Sequence, residues 1–258
     1  MRTTVCIGLA IFLLAGCETD EFASPEAIDA MTKPLLQAAM EAQQGADYAK
    51  AAGHFRKLHQ KLPDDRFVLL GLARNLRYVG AAKEAVRTLE RAWPSFAGDS
   101  KLMTELGKAR LANGNAKNAI VVFKAALEIE PANWDTYSAM GIAYDLMELY
   151  VEASKWYLKA LEMSPDNPVV LNNMAISAAQ SGDLDTAINT LKRASVLARR
   201  SPQVRQNLAL FYGIRGDFKS AESLARMDLD EEAVRNNLAF YYRFGKENGG
   251  QRPKQAPK

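Results

Sequence analysis

The sequence predicts an all-α fold built from stacked helix pairs, and three observations carry that prediction. First, from Thr32 onward the chain reads as six consecutive 34-residue repeats without insertions, beginning at Thr32, Arg66, Ser100, Trp134, Pro168 and Pro202. Second, small residues recur in register. Ala39, Ala73, Gly107, Gly141, Ala175 and Ala209 stand at position eight, and alanine fills position twenty of every repeat (Ala51, Ala85, Ala119, Ala153, Ala187, Ala221). Antiparallel helices approach closely only where no large side chain intervenes. Third, helix start and stop signals return with the same period. A generic helical bundle has no reason to hold such a register, whereas a stack of equivalent helix pairs requires it.

The elements follow in order. Leu35/Ala38, Leu69/Leu72, Met103/Leu106, Tyr137/Met140 and Leu171/Met174, at positions four and seven, each share one face of a first helix. Phe55, Leu89, Phe123, Tyr157 and Leu191, at position twenty-four, repeat the device on the second helix. Asp65, Asp99, Asn133, Asn167 and Ser201 are N-caps for first helices, the last two followed by Pro168 and Pro202 at the first helical position. Gly80, Gly114, Gly182 and Gly216 fall at position fifteen, where the first helix must end in a left-handed residue, and Asn115, Asp183 and Asp217 then cap second helices. Glu148 holds that position in the fourth repeat and predicts a turn of different construction. The sixth repeat departs at Asp228, where alanine belongs. Beyond it, a single amphipathic helix over Glu231 to Phe244, with the stripe Val234, Leu238 and Tyr241, is expected to cap the stack. Residues 245–258, with three Gly, two Pro and four basic residues against one acid, read as a disordered basic tail.

Composition excludes the extreme classes. With 33 Lys+Arg against 30 Asp+Glu, a net charge of +3 and 48% apolar residues, the chain is neither disordered throughout nor obliged to bind nucleic acid. Two cysteines make no disulfide scaffold, and both lie in the first seventeen residues. Arg2 followed by the apolar run Val5 to Ala15 has the form of an export signal, shorter than the ~18 apolar residues of a spanning helix. Leu14-Ala15-Gly16-Cys17 resembles the bacterial lipobox, in which the sulfur of the cysteine becomes a thioether to diacylglycerol. The resemblance implies cleavage of residues 1–16, with loss of Cys6, and a covalent lipid on Cys17, the only cofactor-like group expected. Residues 17–31 would then be anchor and tether, and Glu18 after the cysteine favours the outer membrane over the inner, facing the periplasm.

The aromatic, small-residue and terminal-proline pattern, fullest in Tyr137, Gly141, Tyr144, Ala153, Tyr157, Ala160 and Pro165, resembles the tetratricopeptide repeat. The resemblance implies a right-handed superhelical solenoid of about six helix pairs over residues 32–230, followed by the capping helix 231–244. It also implies a partner-binding groove formed by positions 2, 5, 6, 9, 12 and 13 of each repeat. In repeats two and three these positions supply Arg74, Arg77, Lys101 and Lys108, a basic zone able to hold acidic side chains or a C-terminal carboxylate. In repeats five and six they supply Asn172, Asn173, Gln206 and Asn207, and the capping helix adds Asn236 and Asn237. A row of such amides can pair with the backbone of an extended peptide whatever its side chains.

No catalytic or metal-binding constellation accompanies the repeats. His54 and His59 are five apart on one expected helix and therefore on different faces. Asp64-Asp65 and the acids from Asp228 to Glu232 lie where helices start and complement the helix dipole. Trp93, Trp134 and Trp156 are expected to be packing or turn residues. The expectation is a protein without enzymatic activity, catalytic residue or metal.

The C-terminal third, with Arg205-Gln206-Asn207-Leu208-Ala209-Leu210, Gly216-Asp217-Phe218-Lys219-Ser220-Ala221-Glu222, Ala225-Arg226-Met227-Asp228-Leu229 and Asn237-Leu238-Ala239, resembles the ending of the TadD-type lipoproteins of the tight-adherence (Tad/Flp) pilus system. That resemblance implies a scaffold that helps assemble or localise the secretin through which the pilus emerges. Protein partners, a secretin or pilus-assembly component bound through an extended peptide, and membrane lipid are expected. The alternatives are a type IV pilus pilotin, a general outer-membrane assembly factor, or an adaptor of a cell-wall hydrolase.

Overall fold

A computed structural model describes residues 32–247. The expected signal, Cys17, the tether and all but the first three residues of the tail lie outside the described residues. Among those described there are thirteen α-helices and no strand: α1 (Lys33–Gln44), α2 (Tyr48–Lys61), α3 (Arg66–Tyr78), α4 (Ala82–Ala92), α5 (Ser100–Ala112), α6 (Ala116–Ile129), α7 (Trp134–Asp145), α8 (Tyr150–Met163), α9 (Pro168–Gln180), α10 (Leu184–Leu197), α11 (Pro202–Arg215), α12 (Phe218–Ala225) and α13 (Glu231–Glu247). They form two compact bodies, residues 32–149 with α1 to α7 and residues 150–247 with α8 to α13. The division falls inside the fourth repeat.

Helix starts follow the caps. Asp65, Asp99, Asn133, Asn167 and Ser201 each accept from a backbone N–H of the first turn, as do Asp47, Asn115, Asp183 and Asp217 at second helices. Such a cap contributes about 1 kcal/mol. The turns follow position fifteen, where Gly80, Gly114, Gly182 and Gly216 take φ of 78°, 78°, 93° and 90°. The expectation that Glu148 demands another construction is corrected. Glu148 itself adopts φ 59°, Ala46 does the same at 57° in the first repeat, and all six turns close alike. Leu149 N–H donates to Tyr144 C=O at 2.9 Å, just as Ala81 N–H does to Leu76 and Asp183 N–H to Ala178. The side chain accommodates the geometry at a cost in strain.

Within residues 32–149 each helix packs on the next, and the first helices α3, α5 and α7 also touch in succession. The alanines at position twenty are completely buried in all six repeats, as are Ala39, Ala73, Ala175 and Ala209 at position eight. Gly107 shows why position eight must stay small: a Cβ there would stand 2.2 Å from the buried Phe123 ring. In residues 150–247 the second core gathers Leu171, Ile176, Ile188, Leu191, Val204 and Phe211.

The C-terminal helix takes the place of a seventh first helix, packing on both α11 and α12. Asp230 caps it, accepting from Ala233 N–H at 2.8 Å. It starts where expected and runs three residues beyond Phe244. It can start early because α12 has 8 residues, against 14 in α10. Beyond the end of α12 the Asp228 carboxylate accepts from both Arg205 Nε, at 2.9 Å, and Arg205 Nη2 of α11. Val234 and Tyr241 are buried and Leu238 half-buried. The Tyr241 ring lies where a Cβ on Gly213 would stand 2.2 Å from it, so this docking requires glycine.

Candidate partner-binding face

The first helices carry the polar side chains that the repeat register places on one face, and the structure shows what those side chains bind. In residues 32–149 the centre is Glu105, at position six of repeat three and 3% exposed. Arg77 Nε donates to Glu105 Oε1 at 3.0 Å, and Arg74 Nε lies 4.0 Å from its other oxygen. One turn on, Lys108 pairs with Asp135 of α7. Burial opposes the charge on Glu105, but Arg77, Lys108 and Arg74 together outweigh it and hold the carboxyl below its ordinary value of 4.5. Burial likewise opposes the charge on Arg77, and Glu105 outweighs it, so the guanidinium pKa is raised.

Neutral bonds extend this network. Thr104 donates to Ser100 C=O at 2.8 Å, so its single hydroxyl proton is committed. The 2.6 Å contact between the Thr104 and Thr136 hydroxyls is therefore donated by Thr136. A shallow cleft opens among Arg74, Lys101, Thr104, Lys108, Asn133 and Asp135.

The expected basic zone is thus corrected to a mixed one. Arg74, Arg77, Lys101 and Lys108 do lie together, but Glu105 and Asp135 lie among them. A cation withdrawn from water needs a counter-charge, and the fold supplies it. The signal was available: Glu105 at position six and Asp135 at position two obey the same rule that selects Lys101 and Lys108.

In residues 150–247 the expected row of peptide-facing amides is also corrected. Asn172 is 0% and Asn173 2% exposed. Asn207 Nδ2 donates to Asn172 Oδ1 at 2.8 Å across α9 and α11, and Gln206 Nε2 donates to Asp228 at 2.9 Å. Asn207 ties α11 to α9 and Gln206 ties α11 to the loop after α12, because a covered amide must find a partner within the fold. Asn236 is exposed and Asn237 half-exposed. What sequence reasoning missed in this body is an apolar cleft of about 370 Å³ between α8, α9 and the start of α10, walled by Tyr150, Val151, Met174 and Ala178 and rimmed by Lys155 and Asp183. Val151 is 76% exposed, an aliphatic side chain left in water at its mouth.

Among the described residues no group of His, Cys, Asp and Glu is arranged to hold a metal, and no helix is long and apolar enough to cross a membrane. His59 lies half-buried on α2, where burial lowers its pKa against the opposing pull of Asp64.

Comparison with known proteins supports the repeat reading. Two tetratricopeptide-repeat family models match, over residues 110–170 and 156–189. Superkiller protein 3 of Schizosaccharomyces pombe is 32% identical over 133 residues, 48% of this chain but 9% of that protein, so the chain spans under a tenth of that relative. A thermophilic TPR protein of Thermus thermophilus superposes with a TM-score of 0.65 at 20% identity, covering 70% of this chain and 98% of that one. PilW, a type IV pilus biogenesis factor, superposes with a TM-score of 0.63 at 16% identity, covering 83% and 99%. These structural likenesses establish the fold. The helix pairs of residues 110–189 are tetratricopeptide repeats, and the pairs before and after them keep the same 34-residue register.

Proposed function

We propose that this chain is a non-enzymatic scaffold, lipid-anchored at Cys17 on the periplasmic face of the outer membrane, that binds protein partners during assembly of the Tad/Flp pilus and aids assembly or localisation of its secretin. The observation that carries the scaffold reading is the polar face of α3, α5 and α7, where equivalent positions of successive repeats converge on one cleft. Its cations are already paired with Glu105 and Asp135, so it does not act as a simple trap for acidic chains. A partner segment gains there by matching both signs of charge, which gives specificity more than raw affinity. The lipobox-like tetrad and the TadD-like ending support the anchor and the pilus assignment. The fold shared with a type IV pilus biogenesis factor is consistent with that assignment.

The test is photo-crosslinking in intact cells from Lys101 and Asp135, with the captured protein identified by mass spectrometry. Capture of a secretin or another pilus component is expected; capture only of a cell-wall hydrolase would overturn the pilus assignment. In parallel, Cys17→Ser should abolish incorporation of radiolabelled fatty acid and release the protein from the membrane fraction. Unchanged labelling would remove the anchor.

A further inference from the structure

A helix that only closed a stack would present a uniformly polar outer face. The outer face of α13 does not. Phe240 is 40% exposed, flanked by exposed Asn236 and Ala239, with Glu232 near the start of the stripe and Arg243 near its end. Glu232 and Arg235 carry no ion pair among the described residues, whereas Glu231 is taken by Arg226. Along this stripe the acid lies at the N-terminal end and the base at the C-terminal end, with a small residue between them. Read in reverse, the stripe is its own complement.

We propose that α13 pairs with α13 of a second copy of this chain, antiparallel about a two-fold axis level with residues 237 and 238. In that register Glu232 meets Arg243 of the other copy, and Asn236 meets Ala239, whose methyl lets the helices approach. Phe240 lies on the same flank of both helices, so the two Phe240 rings approach each other across the pair. A two-fold axis makes the Glu232–Arg243 and Asn236–Ala239 contacts twice, as an isologous interface requires. One helix face is a small interface, so association in water is weak, with a dissociation constant on the order of tens of micromolar.

The experiment is sedimentation equilibrium of the full chain over micromolar to submillimolar concentration, in low and high salt. A monomer–dimer equilibrium that salt weakens is expected. Glu232→Arg should reduce association at least tenfold, Phe240→Ala should do likewise, and Glu232→Arg combined with Arg243→Glu should restore it. All these positions are exposed, and an unchanged helical circular-dichroism signal confirms that each variant folds. A monomer at every concentration overturns the proposal, as does a dimer indifferent to Glu232→Arg or one that the charge-swapped pair fails to restore. A chain that dimerises only after removal of residues 248–258 also overturns it, because its own C-terminal segment then covers this face.

Discussion

In residues 32–149 adjacent first helices are tied by ions, Arg77 to Glu105 and Lys108 to Asp135; in residues 150–247 the corresponding tie is a neutral amide bond from Asn207 to Asn172. The one well-covered ion pair of the second body, Arg205 with Asp228, joins α11 to the loop after α12 and links no two first helices. The same repeat geometry therefore tolerates two chemistries on its inner face, and they differ in what happens when a partner is removed. A neutral amide left alone turns to water or a neighbour, whereas a buried charge left alone must be paired, hydrated or neutralised.

The largest effect expected from this contrast is that of Glu105→Ala. It leaves Arg77, largely buried, without its counter-charge, and should destabilise residues 32–149 by about 3 kcal/mol. Trp93 and Trp134 report on this body and Trp156 on the other, so urea unfolding of a Trp156→Phe background followed by fluorescence isolates the effect. A loss under about 1 kcal/mol would mean that Arg77 finds water freely, and the contrast between the bodies would collapse.

Acid sharpens the same point. The Glu105 carboxyl is held below 4.5 in the folded state, so the stability it contributes is complete above pH 4.5 and is lost as the pH falls through the lowered value. Glu105→Gln should therefore be less stable than the parent near neutrality and converge on it as the pH falls progressively below 4.5. Equal separation of the two curves at neutral and at acid pH would show that the carboxylate charge is not what the cations stabilise.

Asn172→Ala should cost less, about 1–2 kcal/mol, since Asn207 is only half-buried and its freed amide can reach solvent. Read through Trp156 fluorescence in a background with Trp93 and Trp134 replaced by Phe, the loss should be independent of pH between about 5 and 8. A loss as large as that of Glu105→Ala would place the amide bond on an equal footing with the ion pairs.

How much of this was legible in the sequence depends on the range of the interaction. Caps, turn glycines and the alanines at position twenty act within a helix or between neighbours at fixed offset, and the 34-residue register exposes them directly. The face itself was half legible. Its cations were found by position, but their meaning lay in Glu105 and Asp135, which sit 28 and 27 residues away from Arg77 and Lys108. Those separations fall short of one repeat, whereas the shorter side chains of Thr104 and Thr136, and of Asn172 and Asn207, meet 32 and 35 residues apart. Arg56 and Glu84, on second helices, repeat the separation of 28. Asn172 and Asn173 were misread for a related reason: a polar residue on a groove position can point between helices as well as outward, and only packing decides which. Asp228 looked like a lapse in the repeat until Arg205 and Gln206 showed what its carboxylate receives.

The smallest expected effect concerns the turns, where the bodies differ again. Residues 150–247 place glycine at both position-fifteen turns, Gly182 and Gly216, whereas residues 32–149 place Ala46 and Glu148 at two of theirs, with φ of 57° and 59°. A side chain in the left-handed region costs on the order of 1 kcal/mol relative to glycine, partly offset by the greater freedom glycine has in the unfolded chain. Glu148→Gly should therefore stabilise residues 32–149 by about 0.5–1 kcal/mol, and Gly182→Ala should weaken residues 150–247 by a similar amount. Both are read as shifts in urea midpoint at constant slope. Because the backbone hydrogen bonds of the two turns are the same, opposite signs from the two substitutions isolate the strain of the side chain. A destabilising Glu148→Gly would mean that the glutamate makes a favourable interaction of its own, and the turn of repeat four would differ from the others in energy though not in shape.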